Sequence, residues 1–383
     1  MRIGIDARTI LNPEHGDAIG SGHYTYQIIR HLLEIDRENE YVLFFDFRVR
    51  EKDVRKFTRE NVHIRFYPFS DYKKYLPGAY SEILGRATLV RERLDVLHST
   101  SPLSRIPAGY GGTCITTFHN LGVFEHPELY PPVRRAGERA KAKFAAQKSH
   151  RIIASSQSVA DDIVRLFKVP SERISVIPAG VDTRFFHPPA TDGSKFRAKH
   201  KIEKPYMLFL GTLSPINNIP RLIEAFARFK KTDAGKKYRL VLAGKRDWLS
   251  KVYRQTAKDF GVASSVLFTG YVVGDDLVPL FRNAEFFTMP SLYEGFGSTV
   301  LEALAAGAPT IASRLPALEE AAGDAVRFVN PLDAEDMAKA FEEFAKDDDL
   351  RRDFASRGPD RARKYDWNAT AERTLAVYRE LVK

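Results

Sequence analysis

The sequence predicts an α/β protein built as two domains, each a parallel sheet with helices on both faces. Three observations carry that prediction. Short apolar runs of strand length alternate with amphipathic stretches of helix length along all 383 residues. The alternation breaks once, in the proline- and charge-rich segment 184–204, and then restarts. Hydrophobic content of 44% and charged content of 28% fit a globular chain with a substantial core. Strands separated by helices pair in parallel through right-handed crossovers.

In chain order, MRIGIDA is the first strand and GHYTYQIIRHLLEID the first helix, with Tyr26, Ile29, Leu32 and Leu33 on one face. YVLFFDF, VHIRFYPF, DVLHST, GTCITTFHN, RIIASS and ISVIPAGVD are further strands, and QSVADDIVRLFKV is a helix. After the break come YMLFLG, YRLVLAG, SVLFTG, FFTMPS, PTIAS and AVRFV as strands, with RLIEAFARFKK, TVLEALAAG and AEDMAKAFEEFAKD as helices. WNATAERTLAVYRELVK closes the chain as a helix. The expected division is 1–183, a linker at 184–204, 205–365, and a final helix at 366–383. Two such domains in tandem leave a cleft between them. Open α/β sheets bind ligands outside the carboxyl ends of their strands.

Composition narrows the function. A single cysteine, Cys114, excludes a disulfide scaffold. No apolar run reaches membrane-spanning length, and the N-terminus lacks a secretory hydrophobic region, so a cytoplasmic protein is expected. The net charge is +10, spread evenly: 27 basic against 22 acidic side chains in residues 1–183, and 32 against 27 in the remainder. Residues 134–151 concentrate seven basic side chains against one acid, either a solvated helix face or an attractor of anionic surfaces. The sequence pI of about 9.4 raises nucleic-acid binding, but no nucleic-acid module is present, and no nucleic-acid partner is expected.

Three constellations sit at strand ends. Gly20 and Gly22 in GSGHY open the first helix, either as a flexible loop or as a close approach to a phosphate at the helix N-terminus. The six-residue glycine spacing of the dinucleotide fingerprint is absent. His119 in TTFHN follows a strand, where a core role and a ligand role are both open. The most informative stretch is SLYEGFGSTVLEALAAGAPTIAS, Ser291 to Ser313. Glu294 lies in a loop, Gly295, Phe296 and Gly297 form the turn, and Glu302 stands about one turn into a helix closed by Gly307. The thinned backbone leaves amides free at the helix start, a site for a diphosphate. Carboxylates beside a phosphate site suit hydroxyl ligands better than more anion. Two sugars flanking a diphosphate describe a nucleotide-sugar.

These motifs, with ASSQSVADDI, ISVIPAGVDTRFFHP, GTLSPINNIPRLIEAF, LVLAGKRDW, FTGYV and YDWNATAERTLAVYREL, span nearly the whole chain, which resembles the retaining glycosyltransferases of family 4. The resemblance is nearest to bacterial mannosyltransferases of surface-polysaccharide synthesis. It implies two Rossmann-like domains facing across a cleft, the GT-B architecture. It implies Gly20 and Gly22 near the donor phosphate, His119 as a catalytic contact to the donor sugar or its phosphate, Glu294 as one to the transferred sugar's hydroxyls, and Glu302 on the ribose. Gly295, Phe296, Gly297, Ser298 and Thr299 would line the diphosphate and sugar, and Tyr271 and Val272 would meet the base. The last helix would cross back to the N-terminal domain. No cofactor and no metal are expected, since side chains and helix dipoles neutralise the leaving diphosphate in this fold.

Two departures stand out. The family's usual Arg-Lys diphosphate clamp is replaced by Ile216 and Asn217, and its Leu-Pro by Ser298 and Thr299, whose hydroxyls can bond phosphate oxygens. Losing comparable contacts costs roughly 10²–10³ in rate. Lys245, Arg246 and Arg314 are candidate replacements, and a catalytically weak or silent nucleotide- or glycan-binding homologue is the alternative. The resemblance implies transfer with retention, and no residue stands out as a covalent nucleophile, which favours a front-face route. GDP-mannose or a UDP-sugar is the expected donor, and a glycan or lipid-linked glycan the acceptor. The basic, aromatic stretch Arg65 to Tyr80, with Lys73 and Lys74, is either a surface segment or a peripheral contact to the inner face of the cell membrane.

Overall fold

Seven parallel strands form the sheet of the first unit in a computed structural model, which describes residues 1–11, 20–67, 78–187, 193–245 and 249–382. The strands are β1 (Arg2–Asp6), β2 (Glu40–Asp46), β3 (Val62–Tyr67), β4 (Val96–Ser99), β5 (Cys114–Phe118), β6 (Arg151–Ala154) and β7 (Ile174–Val176). Their order is β3-β2-β1-β4-β5-β6-β7. The second unit has a six-stranded parallel sheet of β8 (Tyr206–Leu210), β9 (Arg239–Ala243), β10 (Val266–Gly270), β11 (Phe286–Met289), β12 (Thr310–Ser313) and β13 (Arg327–Val329), ordered β10-β9-β8-β11-β12-β13. Near-continuous burial along β2, β8 and β11 is what helices on both faces of a parallel sheet impose. The predicted α/β fold class, two Rossmann-like parallel-sheet domains, is what the chain adopts.

Strand order locates the ligand crevices. In the first sheet the winding reverses between β1 and β4, and in the second between β8 and β11. Loops leaving the carboxyl ends of strands at such a reversal diverge and open a crevice. The loop after β11 is the one that carries Glu294.

The contact division puts Met1–Gly180 and Tyr365–Lys383 in one unit and Val181–Lys364 in the other. The C-terminal helix Trp367–Leu381 thus belongs to the first unit, where Asp366 caps it through the Ala369 amide at 3.0 Å. Its Tyr378 hydroxyl reaches His98 Nδ1 on β4 at 2.6 Å, and Thr370 Oγ1 donates to the Pro178 carbonyl at 2.8 Å. Gly180 lets the helix start close in, since a Cβ there would lie 2.3 Å from the Trp367 nitrogen.

Two expectations change. The described part of the 184–204 linker is packed into the second unit. Phe185 is fully buried against Phe281, Phe196 is buried in the helix Ser194–His200, and Lys199 and His200 both pair with Asp276. Residues 188–192 lie outside the described residues. In the first helix, Gly20–Ile35, the buried stripe is Tyr24, Ile28 and Leu32 with Thr25, Ile29 and Leu33. Tyr26 sits at its edge, half-buried against Phe57 with Lys56 over its ring. Among the described residues no helix is long and apolar enough to cross a membrane.

Candidate functional site

The second unit builds its site from the loops that leave β8 and β11. After β11, Pro290 and the buried Ser291 lead into Glu294, Gly295, Phe296 and Gly297, and the helix Ser298–Ala305 begins. Gly297 has φ +95°, and a Cβ there would lie 2.4 Å from Leu318 Cδ2, so the turn requires glycine twice over. The helix start has no side-chain cap. Its first amides therefore lack an internal side-chain acceptor and favour an anion. Gly307, at φ +72°, closes the helix: its N–H reaches the Leu304 carbonyl and that of Ala308 the Ala303 carbonyl.

Glu294 and Glu302 each keep a minor part of their surface exposed. Burial pushes both carboxyls up to about 7. At Glu294 the Ser291 hydroxyl, donating at 2.8 Å, pulls back down. At Glu302 the Arg184 charge pulls down and Asp182 pushes up. Two half-buried carboxyls that titrate near neutrality, on either side of an uncapped helix start, mark a built polar site.

The β8 loop is stitched to the β11 loop. The Leu292 N–H donates to the Ile216 carbonyl at 2.8 Å, and Asn218, at φ +57°, donates from Nδ2 to the Pro290 and Pro331 carbonyls at 3.1 and 2.7 Å. Asn217 Nδ2 donates to the Thr212 carbonyl at 2.6 Å, which turns its Oδ1 towards the Ser291 hydroxyl, 3.3 Å away. One hydrogen of the Asn217 amide is therefore already committed. The ends of β8, β9 and β10 also meet closely. The Gly244 N–H donates to the Gly270 carbonyl at 2.8 Å, and a Cβ on Gly244 would lie 1.9 Å from the Gly211 oxygen.

Of the three candidate cations, Lys245 follows β9 and is exposed. Arg314 pairs with Glu319 at 2.8 Å and lies over the Phe328 ring, so it is engaged elsewhere. Arg246 lies outside the described residues. Of the two residues expected at the base, Tyr271 is exposed, whereas Val272 is 2% exposed with its side chain in the core. Ser298 is exposed and Thr299 half-buried at the helix start. Arg184 and Ser291 escaped the sequence reading. Arg184 acts on Glu302 across 118 positions, and nothing local signals it.

In the first unit His119 follows β5. Its Nε2 lies 2.8 Å from the Thr100 carbonyl, so Nε2 carries the proton, and Tyr24 meets the ring edge-on at 4.4 Å. Burial pushes His119 down to about 4, against the pull of the Thr100 carbonyl. Its ring is neutral at physiological pH, with Nδ1 as an acceptor. A neutral acceptor suits a hydroxyl rather than a phosphate. Gly20 starts the helix at φ +68°, and Gly22 is buried two residues in. The Thr9, Thr25 and Thr100 hydroxyls join across the β1/β4 reversal at 2.7–2.8 Å. The basic residues of 134–148 lie on the helix Pro132–Lys148, with Val133 87% exposed at its start. Lys73 and Lys74 lie outside the described residues.

Residues 19–185 match Glycosyltransferase Family 4, and residues 192–361 match Glycosyl transferases group 1. The chain is 26% identical over 369 residues to the O-antigen chain mannosyltransferase B of Escherichia coli, across 94% of this chain and 96% of that protein. It is 28% identical over 297 residues to the serotype-specific mannosyltransferase WbdA of Escherichia coli, covering 75% of this chain and 36% of WbdA, about a third of that longer protein. Alr3699/HepE of Anabaena, solved in complex with UDP and glucose, superposes with a TM-score of 0.76 at 16% identity over 98% of this chain and 99% of that one. With both units matched in turn, the chain belongs to the glycosyltransferases of family 4 and group 1 and is an enzyme of that class.

Proposed function

We propose that the chain transfers mannose from GDP-mannose to a glycan or lipid-linked glycan, with retention and without a metal, at the cytoplasmic side of the membrane. The observation that carries this reading is the pair of half-buried carboxyls, Glu294 and Glu302, flanking the uncapped start of the helix Ser298–Ala305 at the β8/β11 reversal. The helix start takes the diphosphate through backbone amides, helped by the Ser298 and Thr299 hydroxyls. Glu294 accepts hydrogen bonds from hydroxyls of the transferred sugar, and Glu302 holds the ribose. Tyr271 offers an exposed ring to the base, and the backbone at Val272 its edge. Lys245 is the remaining described candidate for the missing charge. In the first unit, His119 Nδ1 accepts from a substrate hydroxyl, and Gly20 and Gly22 keep the helix start open. The mannosyl assignment draws on the activities named for the two Escherichia coli relatives. The helix Pro132–Lys148 supplies the basic face for anionic lipid headgroups.

The test is nucleotide release over hours from GDP-mannose, UDP-glucose and an ADP-sugar, in chelator, with the anomeric configuration of the product read by NMR. Release from GDP-mannose with a retained product supports the reading. Release from a UDP-sugar instead moves the donor assignment, and release from none supports the silent homologue suggested by Ile216 and Asn217.

A further inference from the structure

Ser291 Oγ has one hydrogen and two acceptors within reach, Glu294 Oε1 at 2.8 Å and Asn217 Oδ1 at 3.3 Å. The Asn217 amide cannot turn round to supply a donor instead, because its Nδ2 is held by the Thr212 carbonyl at 2.6 Å. Ser291 is fully buried, so water does not relieve the conflict cheaply.

Two arrangements are open to these three groups. When Glu294 is ionised, the Ser291 hydrogen goes to the carboxylate and Asn217 Oδ1 gives up its serine donor. When Glu294 is protonated, the carboxyl donates to Ser291 Oγ, Ser291 donates to Asn217 Oδ1, and the chain ends at the Thr212 carbonyl with every group paired. The first form offers the sugar an acceptor, whereas the second commits the carboxyl's hydrogen to the protein.

We propose that Ser291 and Asn217 are positioning residues for Glu294, a relay in which Ser291 favours the ionised carboxylate and Asn217 the protonated one. Position 217 then supports the sugar ligand and does not stand in for a phosphate-binding cation. The functional meaning rests on Glu294 being the sugar ligand, whereas the relay itself rests on the distances. Among the described residues, burial and the Ser291 hydrogen bond are what set Glu294.

The test is a carboxyl titration of Glu294 in the full chain labelled with ¹³C-glutamate, assigned with Glu294→Gln, in wild type, Ser291→Ala, Asn217→Leu and the double variant. Losing a hydrogen bond to a charged group moves a carboxyl by about one pH unit. Ser291→Ala is expected to raise the Glu294 midpoint by about that much, and Asn217→Leu to lower it. In the double variant the Asn217 effect should vanish, because the described contacts link it to Glu294 through the serine. Shifts of the same sign in both single variants, or an Asn217 effect that persists without Ser291, would overturn the relay. A thermal melt on each variant checks that it is folded. The kcat/KM profile for nucleotide release from GDP-mannose should move with the midpoint. Opposite midpoint shifts without turnover on any sugar nucleotide would uphold the relay and sink the donor reading.

Discussion

On the proposed function, Glu294 meets two opposed demands. To bind sugar hydroxyls it should be ionised, yet burial holds its carboxyl at about 7. Donor affinity should therefore rise as the pH passes from 6 to 8, read by calorimetry with GDP-mannose. Glu302 behaves alike, its carboxyl also at about 7 through burial, eased by Arg184. Replacing Glu294 by Gln should lower kcat by roughly 10–100-fold, the size of a lost hydrogen bond to a charged group. His119 contributes no acid limb above pH 5, since its ring is neutral down to about 4. The residue types at this site were legible because a carboxylate, a glycine turn and a second carboxylate are close in sequence. Ser291 with Asn217, 74 positions apart, was not, because only the fold brings them together. Val272 was expected at the base and is buried, since exposure at a strand end depends on neighbouring elements that sequence spacing does not reveal.

The helix Ser298–Ala305 and the loop before it form the element on which the site depends. Its start at Gly297 and its Gly307 closure follow from local chemistry and were readable as such. Gly297→Ala places a side chain at φ +95° and within 2.4 Å of Leu318 Cδ2. It should cost about 1–3 kcal/mol, read as a lowered Tm, and weaken donor binding by tilting the first amides. The linker was misread because proline and charge look alike in an exposed tether and in a packed segment whose charges pair. The C-terminal helix is anchored by Tyr378 to His98, whose other nitrogen lies 2.7 Å from Thr117 Oγ1. Tyr378→Phe leaves a fully buried imidazole nitrogen without its partner and should cost about 1–3 kcal/mol in urea unfolding.

At the scale of the whole molecule, pH separates two opposing contributions. Glu294 and Glu302 are raised in the fold, so they stabilise the unfolded chain progressively as pH climbs from the ordinary carboxyl range towards 7. Glu302→Gln should raise Tm at pH 8 and leave it unchanged at pH 4.5. His98 is pushed down to about 3 by burial, so the stability held by its neutral ring is full above 6.5 and drains away as pH falls towards 3. Two tandem parallel sheets were readable from alternation alone, because strand and helix lengths are set locally. The strand orders were not, because order is decided by which sheet edge each crossover joins.

The most direct test of the account is calorimetric titration of GDP-mannose, in chelator at pH 8, into wild type and into the variant Glu302→Gln. The account predicts binding by wild type and a loss of about tenfold or more in the variant, the size of a lost hydrogen bond to a charged group. Equal affinity in the two proteins would contradict it, because the nucleotide-sugar would then bind away from the carboxyls at the β8/β11 reversal.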